Sequence, residues 1–222
     1  MKRLLLPIAA CALLLASCTD APDAEKADAT DAKQVEQAAA TDASYTVDAA
    51  QSTVEWVGTK PTGRHHGTFK IKEGNLMVAN GNITGGKFII DVASIKADDQ
   101  DAEGNKKLEG HLASADFFDV QKFPNGTFEI TSVTPASGTA NVGDTSKIVA
   151  THTITGNLTL KDVTKSISFP AAVTMTDNQV NADANFNIDR TQWNMNYGSD
   201  KSLGDKFIRP EVNLKIHLVA TK

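Results

Sequence analysis

The chain has 222 residues, two cysteines and a formal net charge of −5, with 41% hydrophobic and 22% charged residues. That length allows one domain with appendages. The mild acidity excludes a strongly basic nucleic-acid binder, and two cysteines exclude a disulfide-dense scaffold or a four-cysteine zinc site.

Lys2 and Arg3 precede an apolar stretch from Leu4 to Leu15. It is too short to cross a hydrocarbon core of ~30 Å and matches the apolar region of a secretory signal. Leu15-Ala16-Ser17-Cys18 is similar to a bacterial lipobox. That resemblance implies that residues 1–17 are a signal peptide removed before Cys18. Cys18 would then carry a thioether-linked lipid and an acylated amine; the alternative is an ordinary signal with an incidental cysteine. Several acyl chains hold a protein stably on a membrane where one does not. Thr19, in place of aspartate, follows the cysteine. By resemblance to the sorting rules of double-membrane bacteria, this implies a lipoprotein of the outer membrane, with the periplasm the expected side. Residues 18–43 read as an acidic, alanine-rich tether. After Cys18 the stretch holds nine alanines, five aspartates and two glutamates against two lysines, with no aromatic residue, leucine or isoleucine. It has too little apolar surface to offset the entropy of ordering, and as a coil it spans about 25–30 Å.

Residues 44–222 read as one all-β domain, because period-2 alternation dominates from Ser44 onward. Val180, Ala182, Ala184, Phe186 and Ile188 share one face, and Asn181, Asp183, Asn185, Asn187 and Asp189 the other. The same pattern runs through 151–160, 166–175 and 211–219, and through shorter runs around Val54, Phe69, Leu76, Phe88 and Phe128. Asn80-Gly81, Gly85-Gly86, Asn125-Gly126 and Asp177-Asn178 carry turn chemistry. One-sided alternation means antiparallel strands with one wet face, and some eight or nine of them must close as a barrel or stack as a sandwich. Pro170 marks an edge or a bulge. Residues 104–120 break the pattern: Leu108 and Leu112 fit one short helix, with Ser114 as cap of a second turn holding Phe117 and Phe118. The two phenylalanines fit a plug over a barrel opening or a cluster on the sheet exterior.

Several blocks in order carry a family resemblance. They are Asp48, Ser52 and Val54; Gly67-Thr68-Phe69 and Gly74; Ser94-Ile95; His111-Leu112, Asp116-Phe117-Phe118-Asp119, Phe123-Pro124 and Phe128; Gly156 to Lys165; and Asp189-Arg190. Over residues 45–220 the chain resembles the YceI-like family of periplasmic, lipocalin-like polyisoprenoid-binding proteins. The resemblance implies an extended antiparallel eight-stranded lipocalin-like barrel with one or two short helices. It also implies an apolar lumen for a polyisoprenoid or similar amphipathic lipid. The chain departs from the pattern after Arg190, where Thr191 to Gly198 is longer than the family stretch and reshapes one barrel mouth.

The presumed inner face supplies the lumen candidates Trp56, Phe69, Phe88, Ile90, Phe128, Ile154, Leu158, Phe169, Phe186 and Ile188. Among them Gly156, Ala171, Ala182 and Ala184 either leave room for a ligand or fit the taper of a packed barrel. Arg190 shares their parity; at a mouth it is a candidate for a phosphate or carboxylate head group, or else part of a structural pair. His65, His66 and His111 match no metal-ligand spacing, so no metal and no cofactor is expected. There is no Gly-x-Ser-x-Gly elbow, P-loop or dinucleotide fingerprint, and no enzyme is expected. The sequence therefore points to a protein that sequesters or carries a long-chain lipid in the cell envelope, held to the membrane through Cys18 and with no nucleic-acid partner. The rivals are an envelope scaffold or stress protein whose barrel is filled by its own side chains, and a lipid hydrolase.

Overall fold

Alternating apolar residues make strands only if each apolar face finds cover, and here the cover is the sheet itself. The computed structural model describes residues 20–141 and 147–222, so the expected signal peptide and Cys18 lie outside the described residues. Two short strands, β1 (Glu25–Lys26) and β2 (Thr30–Asp31), precede β3 (Ala43–Val47), β4 (Thr53–Lys60), β5 (Gly63–Ala79) and β6 (Asn82–Ala97). Helix α1 (Ala102–Ala113) leads to β7 (Asn125–Asn141), β8 (Lys147–Leu160), β9 (Val163–Met175), β10 (Gln179–Asp189) and β11 (Glu211–Thr221). Neighbours from β5 to β11 pair antiparallel in chain order. β3 and β4 together form one stave: β3 pairs the far end of β5 and β11, and β4 pairs their other ends. The wall is thus a closed eight-stranded antiparallel barrel with one α-helix.

Turn residues set the two ends. Asn80 and Gly81 take positive φ at the β5–β6 hairpin, as do Lys161 and Asp162 between β8 and β9, the left-handed geometry that matches strand twist. Gly85-Gly86 and Asn125-Gly126, expected as turns, lie instead in β6 and at the start of β7. Gly86 is small because a Cβ there would stand 2.8 Å from the Asn75 carbonyl oxygen across the ladder. α1 begins at Ala102, two residues before the segment that breaks the strand pattern, with Asp101 accepting from the Gly104 N–H at 2.7 Å. Ser114 ends this helix and opens the expected second turn, its carbonyl accepting from the Phe117 and Asp119 N–H groups at 3.1 and 2.8 Å; its hydroxyl does not cap that turn but donates back to the His111 carbonyl at 2.7 Å.

One stretch of wall is incomplete. β9 and β10 pair only between Ala171–Met175 and Val180–Ala184, and Pro170 stands where that pairing stops. Toward the opposite end the two strands separate and residues 25–31 lie between them. Glu25 and Lys26 pair in parallel with Phe186 and Asn187, and Thr30 and Asp31 pair antiparallel with Ser166 and Lys165. The segment expected to be a free coil is therefore laid on the barrel, at least from Asp20 onward. Backbone hydrogen bonding and polar side chains hold it, which hydropathy does not register. Asn157 accepts from the Lys33 N–H at 2.9 Å and donates to the Lys33 carbonyl at 2.7 Å. Asn187 donates to the Pro22 carbonyl at 3.0 Å, and the one small side chain Ala27 is 2% exposed. The cover also explains why Asn185, Asn187 and Asn213, on the outer parity, are buried; Asn213 donates to the other two side-chain oxygens.

Candidate functional site

Four phenylalanines cross the barrel as a floor. Phe88 stacks with Phe128 at 6.4 Å between ring centroids, Phe128 meets Phe169 at 5.7 Å, and Phe169 stacks on Phe186 at 4.1 Å. Gly156 makes this possible: a Cβ there would lie 2.3 Å from the Phe128 ring. The small residue was expected to leave room for either a ligand or packing, and its space is taken by a phenylalanine. Below the floor, Leu76, Val173, Val180, Ala182 and Ala220 join one continuous buried core.

Above the floor the barrel is open. A cavity of about 310 Å³ lies between the phenylalanines and the end that carries α1, within the range of small-molecule pockets. Five of the sequence-predicted lumen residues line it: Trp56, Phe69, Ile90, Leu158 and Ile188. The other five, Phe88, Phe128, Ile154, Phe169 and Phe186, belong to the packed core rather than to the cavity wall. The rest of the strand wall is made by positions outside the predicted set, among them Val92, Ile95, Leu160, Val212 and Leu214. Parity finds the face a residue points to but not its height along the barrel axis.

The roof comes from the one segment that broke the strand pattern. Leu108, Leu112, Phe117 and Phe118 face the cavity, and Phe118 meets Phe69 edge-on at 5.5 Å. The plug arrangement therefore holds over the exterior cluster. The roof is pinned to the wall by histidine–carboxylate contacts, His65 Nδ1 to Asp99 at 2.8 Å and His66 Nδ1 to Asp98 at 2.5 Å. Burial raises the Asp99 carboxyl's pKa, but the contacts with His65 and the His66 N–H outweigh it and hold the group below the ordinary carboxylate value.

Arg190 borders the cavity, yet its guanidinium is already engaged. Nε donates to the Arg209 carbonyl at 3.3 Å, one terminal nitrogen to Met195, and the other to Tyr197 and Ile208 at 2.9 Å each. Those carbonyls belong to the long loop between β10 and β11. The geometry makes Arg190 the knot of that loop rather than a free head-group ligand, its structural partners being main-chain carbonyls. Burial lowers its pKa against a raising effect of Asp189. Sequence reasoning missed Met195 and Ile208, which that loop returns to the cavity wall; they lie outside any alternating strand. Lys60, His65, His111 and Arg209 give the mouth a basic edge, and Arg209 pairs with Asp20 at 2.8 Å.

Two buried polar atoms among the cavity residues, Trp56 Nε1 and Thr59 Oγ1, have no hydrogen-bond partner. The described residues contain no group of three or more histidine, cysteine or acidic side chains set to hold a metal ion. Ser114, His111 and Asp116 lie close together in the roof, but the Ser114 hydroxyl is bonded to the His111 carbonyl rather than to its ring. A nucleophile needs the ring.

A family model described as the YceI-like domain matches residues 45–220. A UPF0312 protein of Pseudomonas putida is 36% identical over 106 residues, 48% of this chain and 47% of the relative. Protein YceI of Salmonella newport is 34% identical over the same length. The chain thus matches about half the length of these curated relatives. Among solved structures, BcnA of Burkholderia cenocepacia superposes with a TM-score of 0.60 at 25% identity, covering 78% of this chain and 98% of BcnA. A polyisoprenoid binding domain from Saccharophagus degradans gives 0.58 at 15% identity, covering 80% of this chain and 97% of that domain. At that identity the second likeness speaks for the fold.

Proposed function

The chain belongs to the YceI-like family, and from that premise we propose that it binds lipid without catalysis, taking a polyisoprenoid or similar long-chain amphipath into the cavity above the phenylalanine floor. Cys18 would hold it in the cell envelope as a lipoprotein of the outer membrane, facing the periplasm. The observation that carries the proposal is the division of the lumen. A packed barrel has no use for an apolar cavity roofed by Leu108, Leu112, Phe117 and Phe118. The Saccharophagus domain, which shares the fold, is described as polyisoprenoid binding and lends the ligand class its support.

The chemistry is equilibrium transfer. A hydrocarbon chain gains ~0.8 kcal/mol per buried CH₂, so roughly ten buried carbons supply ~8 kcal/mol before the costs of ordering. No bond need form or break. The roof bounds the entrance, and the His65–Asp99 and His66–Asp98 contacts mark where it is fastened. A scaffold filled by its own side chains describes the lower half of the lumen only.

Displacement of an environment-sensitive fluorophore by a polyprenol tests this. Wild-type protein is expected to bind saturably. The Ile90→Trp variant, which adds bulk inside the cavity, is expected to bind at least about tenfold more weakly while its thermal unfolding stays cooperative. Equal binding by the two proteins would place the lipid elsewhere.

A further inference from the structure

The long loop between β10 and β11 does more than wall the cavity. Among the described residues the exposed large hydrophobics are Val149, Tyr197 and Leu203, and the last two stand on this loop, 47% and 45% exposed; one side of the Tyr197 ring packs on His111 at 4.8 Å and Phe117 at 5.5 Å between centroids, and the other side is open. Residues 201–206 are exposed throughout, with Lys201 and Lys206 flanking Leu203. Within residues 194–208 Asp200 and Asp205 balance the two lysines, so this stretch carries apolar tips without a net charge. Tyrosine prefers the headgroup level of a bilayer, and lysine stems snorkel from it. The turn at Lys201–Lys206 is itself well formed, with Asp200 accepting from the Ser202 N–H at 2.9 Å. The exposure is therefore built and not a loose end.

A second observation comes from the other end of the chain. Asp20 pairs with Arg209 at the base of this loop, and the segment then winds away over β9 and β8, reaching the far end where Asp42 accepts from Thr84 at 2.6 Å. Asp20, the first described residue, therefore stands at the cavity mouth. Cys18 is two residues back, a reach of at most about 7 Å.

We propose that the loop over residues 194–208 is a bilayer-contacting surface: Tyr197 and Leu203 enter the headgroup region of the membrane that holds Cys18, and the barrel mouth opens onto that membrane. The proposal rests on the anchored reading of Cys18. A lipid then passes between bilayer and cavity without crossing water. The 24 residues after Thr19 hold the barrel close instead of spacing it away. Because the charges within residues 194–208 balance, and His65, His111 and Arg209 of the mouth already face Asp99, Asp116 and Asp20, contact does not require anionic lipid.

Full-length protein processed by its bacterial host and reconstituted in phosphatidylcholine vesicles, with or without brominated acyl chains, provides the test. The native tryptophans Trp56 and Trp193 are buried and supply a constant background. A Leu203→Trp reporter is expected to show blue-shifted emission and to lose at least about half of it to bromine at this depth. An Asn178→Trp reporter, on the β9–β10 turn at the opposite end, is expected to match the background. The same pattern is expected when phosphatidylglycerol is added. Lipidated protein in which Leu203→Trp stays unquenched, or in which Asn178→Trp is quenched instead, overturns the orientation alone. An intact mass without lipid on Cys18 overturns the anchored reading and the proposal with it.

Discussion

Phe128 occupies the space that a side chain at position 156 would need. In Gly156→Ala the new Cβ meets the Phe128 ring at 2.3 Å and the Glu129 carbonyl oxygen at 2.7 Å. A loss of about 2–3 kcal/mol is expected from such overpacking, read as a lower midpoint in urea; an unchanged midpoint would show that the ring swings aside freely. Arg190→Met keeps bulk but strips four loop carbonyls of their donor, which is expected to cost about 3 kcal/mol. Affinities for an anionic lipid and its neutral analogue should fall together; a selective loss for the anion would restore Arg190 as a head-group ligand. Asp99 carries a pH dependence. Its folded pKa lies below the ordinary 3.8, so its stabilising contribution is present above that value and is lost as pH falls through the folded one. Below about pH 4 faster amide exchange is expected in residues 97–101 of wild type, and Asp99→Asn should show it already at pH 7. Parity along β10 was enough to place Arg190 inward, but that its partners are carbonyls five, seven, eighteen and nineteen residues onward is a property of loop conformation that no spacing encodes.

At the scale of elements, the surprise is the segment from Asp20 to Asp42. Its composition, mostly alanine and acids, offers almost nothing to a core, and on hydrophobic grounds it reads as a tether. It docks because β9 and β10 leave backbone groups unpaired, and an extended chain of small residues satisfies them. The signal lay in the barrel rather than in the segment: Asn157 and Asn187, on outer strand faces, bind its backbone at Lys33 and Pro22, and Asn213 joins Asn185 to Asn187 beside them. Asn157→Ala removes both hydrogen bonds to Lys33. Amides of residues 25–33 are expected to exchange roughly tenfold faster, with β7 and β8 unaffected. Unaltered exchange would mean that the strand pairings alone hold the segment. By contrast the strands, the Asn80-Gly81 hairpin and the short helix were legible, since alternation, turn chemistry and leucine spacing are local. Gly85-Gly86 misled because glycine serves close strand approach as well as turns.

For the molecule as a whole, the barrel is two structures in one wall, a packed lower half and an upper half open beneath a helical roof. A pattern of apolar residues cannot separate them, because filling and lining use the same residue types; only the height of each phenylalanine decides. The family likeness extends over residues 45–220, which made the barrel legible as a fold and left the position of the cavity to the structure. Lumenal lipid binding is tested most directly by native mass spectrometry of the protein purified from its own host membranes, wild type beside Ile90→Trp. Wild type is expected to carry one reproducible non-covalent lipid, in addition to any covalent modification, and Ile90→Trp to arrive without it. Wild type consistently free of lipid, or the same lipid retained by both proteins, would contradict binding in the lumen.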